Sequence, residues 1–140
     1  MAGTINVDIV SAEGEIYSGT AAMVFVPAIQ GELGIAPRHA PLLTMLKPGE
    51  VRVQDPDGQE HEFYVGGGAL EIQPQRVTVL ADTALRARDL DEAAALDAKQ
   101  RAEQALAERS DAISVAEAQA EIARQVAQLR MIERLRKLKK

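Results

Sequence analysis

From residue 4 to residue 81, apolar and polar positions alternate in short runs broken by glycine, proline and aspartate. Such alternation is the mark of half-buried strands. In 4–10, Ile5, Val7 and Ile9 fall on one face, with Asn6 and Asp8 on the other. Residues 15–19 form a second short run with a glycine stop, and 22–27 a richer one ending in Pro27. Runs follow at 42–46, 50–54, 60–65, 69–73 and 76–81. Asp55-Pro56-Asp57-Gly58 is a turn, because proline presets φ and Asp-Gly accommodates the reversal. Gly66-Gly67-Gly68 breaks the run before it. Many short strands with turn residues between them predict a β-sandwich. A parallel sheet is not expected, since no helical crossover separates the strands.

At Asp89 the period lengthens. Residues 89–109 are rich in alanine and contain no Gly, Pro or β-branched residue, which predicts a helix. Asp89 is the expected N-cap, with Glu92 three residues on. Ala94, Ala98, Ala102, Ala105 and Leu106 make an apolar stripe. A break at 110–113 precedes a second helix, with Ser114 and Glu117 as its capping box and Val115, Ala118, Ile122, Val126, Leu129, Ile132 and Leu135 as its stripe. So short a break predicts an antiparallel hairpin. The expected class is α+β: an antiparallel β-sandwich at 1–86 followed by an antiparallel two-helix hairpin at 87–140. Two alanine-rich helices bury little, so their docking is expected to be marginal.

Composition narrows the chemistry. With two Phe, two Tyr and no Trp in 140 residues, the core must be aliphatic. The absence of cysteine excludes disulfides and thiolate ligands. No run approaches the roughly 20 apolar residues that span a bilayer, and the N-terminus has no basic region leading into an apolar one. The net charge of −5 hides a gradient: residues 89–121 hold nine acids and three bases, residues 122–140 one acid and seven bases. Such a basic end points to an acidic partner. A helix dipole accounts for only part of it, because the effect fades within one turn.

No nucleophile motif, P-loop or metal-binding helix is present, so an enzyme is not expected. His61 lies between Glu60 and Glu62 and reads as a solvent-facing strand residue. The glycine triplet opens onto a strand rather than a helix, so it lacks phosphate-binding geometry and reads as a bulge or close strand contact. Arg124, Arg130, Arg134, Arg136, Lys137, Lys139 and Lys140 carry no interleaved aromatics. That argues against nucleic acid and against a membrane-lying helix, and for an acidic protein surface.

Residues 31–43, Gly-Glu-Leu-Gly-Ile-Ala-Pro-Arg-His-Ala-Pro-Leu-Leu, read as a loop, with Glu32 and His39 as the polar groups it offers. Together with 44–49, this stretch resembles the signature loop of the epsilon subunit of bacterial F-type ATP synthase. The block from Tyr64 to Asp82 and the Arg88-Asp89-Leu90-Asp91-Glu92-Ala93 segment are similar to the same family in the same order. The resemblance implies a non-catalytic rotor subunit that couples gamma to the c-ring, with Glu32, Leu33 and His39 as contacts. It implies helices that close down on the sandwich or extend into the catalytic head, where Arg124, Arg130 and Arg134 would meet the alpha and beta subunits and stop hydrolysis. It also implies a peripheral place at the cytoplasmic face of the bacterial plasma membrane, held there only through the complex. Some members bind regulatory ATP through Ile/Leu-Asp-x-x-Arg-Ala. Here Leu90, Asp91 and Ala95 match, but Ala94 replaces the arginine, so at most a weak regulatory ATP site is expected there, and no other cofactor. Two other readings stay open: a generic β-sandwich binding module that self-associates through Ile122, Val126 and Leu129, and a small ATP sensor.

Overall fold

In the computed structural model, which describes residues 3–108 and 111–138, the alternating runs become eight strands. They are β1 Ile5–Ser11, β2 Gly14–Ala21, β3 Met23–Ala28, β4 Gly31–Ile35, β5 Leu42–Gln54, β6 Glu60–Gln73, β7 Arg76–Ala81 and β8 Ala84–Arg86. Their order is β2-β1-β7-β6-β5-β3-β4, with β8 also on β6. β6 pairs with β5 along its length; on its other edge Gly68 to Gln73 pair with β7 and Phe63 to Val65 with β8. The two long strands therefore run through both layers. Val7, Ile9, Val24, Val26, Val51, Val53, Leu70, Val77 and Val79 close one aliphatic core between the layers. Tyr17 of β2 lies 5.3 Å from the ring of Phe63, and Arg86 of β8 donates to the Ile16 carbonyl at 2.6 Å, which joins the open edges.

The structure corrects several expectations. The β1–β7 pair is parallel, though the other pairings are antiparallel. Nearly the whole sandwich serves as the crossover, so no helix is needed between them. The stretch 31–43 is only partly a loop. Gly31 takes φ of +130°, closes a hairpin, and lets residues 31–35 pair with β3. The glycine triplet does not end a strand. It is the corner at which β6 passes from β7 to β8, with Gly67 and Gly68 at φ of +99° and +139°. The Gly66 N–H donates to the Thr83 carbonyl, and the Asp82 N–H to that of Gly67, both at 2.9 Å. β5 likewise continues through Pro48-Gly49. A Cβ on Gly49 would lie 2.7 Å from the Pro27 side chain.

The division between the two compact units falls after Ala87. A 3₁₀ turn, Ala87–Asp89, precedes α1, Glu92–Glu108, and α2 is Ala112–Leu138. The cap of α1 is Asp91, not Asp89: its carboxylate accepts the Ala94 N–H at 3.1 Å, and its carbonyl takes that of Ala95. α2 is capped by Asp111, which accepts the Ser114 N–H at 3.0 Å, so Ser114 is a donor here rather than the cap. The other residue of the expected break at its start, Ser110, lies outside the described residues. Ala94 is exposed, and the buried face of α1 runs through Ala95 and Ala102 with Ala98 and Ala105 half-buried. On α2, Ala118 and Met131 are buried; Ile122, Val126 and Leu129 are half-buried. A Glu92–Arg136 ion pair joins the start of α1 to the end of α2, as an antiparallel hairpin requires.

Candidate docking surfaces

Glu32 stands on β4 opposite Pro27, 61% exposed, and accepts a hydrogen bond from Arg52 Nη2 at 2.8 Å. The Arg52 guanidinium lies 4.6 Å over the Phe25 ring. Phe25 is opposite Gly34, where a Cβ would come within 3.2 Å of the ring. Gly34 thus makes room for Phe25, Phe25 supports Arg52, and Arg52 aims Glu32. Leu33 points the other way, half-buried, and packs on the core, so it anchors the strand.

His39 is half-buried in the segment after β4. Its Nδ1 is 2.8 Å from the Ala40 carbonyl, and donating there leaves Nε2 as the acceptor of a neutral ring. Arg38 adopts a φ of +68° and donates its N–H to Pro74 at 2.8 Å, tying this loop to the β6–β7 turn. Among the described residues no hydrogen bond or ion pair links His39 to Glu32. The two are separate features, not an acid–base pair.

A larger feature escapes motif reading. Met45 is opposite Ala69, Ala69 opposite Leu80, and Leu80 opposite Val10, so one row of apolar side chains crosses four strands. Their neighbours Thr44, Leu70, Val79 and Ile9 are buried, so strand alternation turns this row outward. Met45 and Leu80 are 54% and 51% exposed. Leu43, at 74%, and Ile29, whose N–H donates to the Met45 carbonyl at 3.0 Å, extend the apolar band. The signal was available: Met45 and Leu80 fall on the face of their strands that should be polar.

Near the β5–β6 turn, Asp55 accepts from the Asp57 and Gln59 N–H groups at 2.9 and 3.0 Å and pairs with His61 Nε2 at 3.0 Å. The His61 hydrogen bond, with the two backbone donors behind it, holds the Asp55 carboxyl below the usual carboxylate range. His61 is therefore a turn-stabilising residue rather than a bare surface one. Burial, and the negative Asp55 behind it, push the Tyr17 phenol up.

On the hairpin, Arg124 donates to Glu121 Oε2 through Nε and Nη2, at 3.0 and 2.6 Å. Burial raises the Glu121 pKa, but these bonds and one from Gln125 outweigh it and leave the group lowered. Arg130 is exposed and Arg134 half-buried. Four residues apart, they share a face, whereas Arg124 points about 120° away from Arg130. Lys139 and Lys140 lie outside the described residues. Of the motif at the start of α1, Asp91 is spent on its cap, Ala95 is buried and Leu90 is half-buried.

Residues 4–87 match the β-sandwich domain of the ATP synthase delta/epsilon chain, and residues 88–133 match its long α-helix domain. The chain belongs to the ATP synthase delta/epsilon family. It is 65% identical to the ATP synthase epsilon chain of Nitrosococcus oceani over 98% of both chains. It is 62% identical to that of Alkalilimnicola ehrlichii over 96% of both. A chain in the Euglena gracilis mitochondrial ATP synthase shares its fold with a TM-score of 0.74 at 19% identity, covering 90% of this chain and 78% of that one.

An open groove of about 540 Å³ lies between α1 and α2. Its lining includes Ala98, Ala102 and Ala118 together with Glu117, Glu121 and Arg101. Arg101 already pairs with Asp97 at 3.3 Å, and two carboxylates repel a polyphosphate. No helix among the described residues is long and apolar enough to cross a membrane.

Proposed function

We propose that this delta/epsilon-family chain is the non-catalytic epsilon-type subunit in the central stalk of a proton-translocating F-type ATP synthase. Its sandwich docks on the rotor, gamma and c-ring, and its hairpin acts as a brake on ATP hydrolysis by entering the alpha–beta head. The relatives are ATP synthase epsilon chains, which supports the assignment to that complex. The observation that carries the docking is the Met45–Ala69–Leu80–Val10 row. An ordered apolar band facing water on a rigid sheet is what a stable protein interface covers. Glu32, aimed by Arg52, and His39 supply separate polar contacts beyond that band. The chain sits peripherally at the cytoplasmic face of the bacterial plasma membrane, held by the complex alone.

The test is binding to a purified gamma–c-ring rotor. Met45→Glu and Leu80→Glu each place a charge in the band and should weaken binding at least tenfold, while the unfolding midpoint stays near that of the parent chain. Unchanged binding by both variants would remove the band from the interface.

A further inference from the structure

Two kinds of ion pair occur on the hairpin. Asp97–Arg101, Glu121–Arg124 and Glu133–Lys137 each join residues three or four apart on one helix. They survive whether the helices lie together or apart. Glu92–Arg136 joins residues 44 apart on different helices and exists only while the hairpin is closed. The charge gradient places acidic Asp89, Asp91, Glu92 and Asp97 at the end of the hairpin where α2 is most basic. The seam itself is thin. Ala95 and Ala102 of α1 meet a helix whose buried residues are Ala118 and Met131, and a groove stays open beside them. With so little apolar area, modest electrostatic terms decide the balance.

We propose that Glu92 and Arg136 form an electrostatic latch that closes the hairpin and withholds Arg136 from an acidic partner surface. This rests on the hairpin being the two-state brake. Opening frees Arg136, so Glu92 and the partner's carboxylates compete for one cation. An acidic partner then favours the open state without any separate trigger, since a ligand shifts a balance by its differential affinity for the two states.

The test uses the full chain. Its lack of cysteine allows labels at Glu103→Cys and Ala120→Cys, both exposed, to report helix separation. Glu92→Arg and Arg136→Glu should each raise the open-to-closed ratio about two- to fivefold, the scale of an exposed ion pair. The double exchange should return it to the parent value. Lys137→Glu, whose pair lies within α2, is the control for charge alone and should open the hairpin less than either single variant. Single variants that open no more than this control, or a double exchange that opens as far as either single, overturn the latch. ATP hydrolysis by the catalytic head is the second readout. Glu92→Arg should inhibit more strongly than the parent. Opening that follows the charges without a change in hydrolysis keeps the latch and removes the brake.

Discussion

Gly68 lies against Leu80 so closely that a Cβ on it would sit 2.1 Å from the Leu80 carbonyl oxygen. That approach lets β6 hand over from β7 to β8, and it sets Leu80 beside Ala69 in the outward row. At φ of +139° the position also strains any side chain. Gly68→Ala should cost about 3 kcal/mol or more. Gly14→Ala and Gly58→Ala also sit at positive φ but meet nothing within 4 Å, and should cost about 1 kcal/mol each. Denaturant unfolding of the three variants checks this ranking.

Acid should destabilise the sandwich through Asp55 and the hairpin through Asp111. Asp55 is lowered first by the His61 hydrogen bond, and Asp111 by the Ser114 N–H. A lowered carboxyl means that the unfolded chain binds more protons near pH 4. The contribution is therefore whole above the unfolded value, about 3.9, and is lost as pH falls through the folded one. Asp55→Asn should flatten the sandwich's pH profile below about pH 5, as followed by unfolding at fixed denaturant. A slope equal to the parent's would remove Asp55 from the account.

Arg52→Ala separates stability from docking. The Arg52–Glu32 pair is exposed enough to contribute at most about 1 kcal/mol, so unfolding should barely move. Glu32 loses its orienting partner, however, and rotor binding should weaken several-fold. Arg52→Lys keeps the charge without the planar fork over Phe25 and should recover only part of that loss.

The hairpin should not respond to ATP. Asp91 is committed to the Ala94 N–H, and Ala94 supplies no guanidinium. Millimolar ATP should leave the melting temperature unchanged. Because Ala94 is exposed, Ala94→Arg is tolerated and tests whether the missing side chain is what prevents binding. Asp91→Ala should destabilise α1 by about 1 kcal/mol through the lost cap, read by amide exchange at Ala94 and Ala95.

The alternation of Ile5-Val7-Ile9 and of Val77-Val79 was legible because burial of one face leaves a period of two in the residue pattern. The change of period at Asp89 was equally plain. What stayed hidden depends on partners distant in sequence. Nothing within Gly66-Gly67-Gly68 says that β8 will take over from β7, since that follows from Asp82 and Thr83 on the other side of the corner. The parallel β1–β7 pair joins residues about 70 apart. Both helix caps were misplaced because Asp89 and Asp91 at one start, and Asp111 and Ser114 at the other, all have capping chemistry, and only backbone geometry selects between them. Met45 and Leu80 could be read singly as apolar residues on a polar face, but with Ala69 and Val10 they form a row only once the strand registers are set.

ATP hydrolysis by the isolated catalytic head, with gamma present, tests the central claim most directly. The full chain is added in one assay and a chain ending at Ala87, which keeps the whole sandwich core, in the other. The account predicts that both bind and that only the full chain inhibits. Inhibition by the shortened chain, or none by the full chain despite binding, would contradict it.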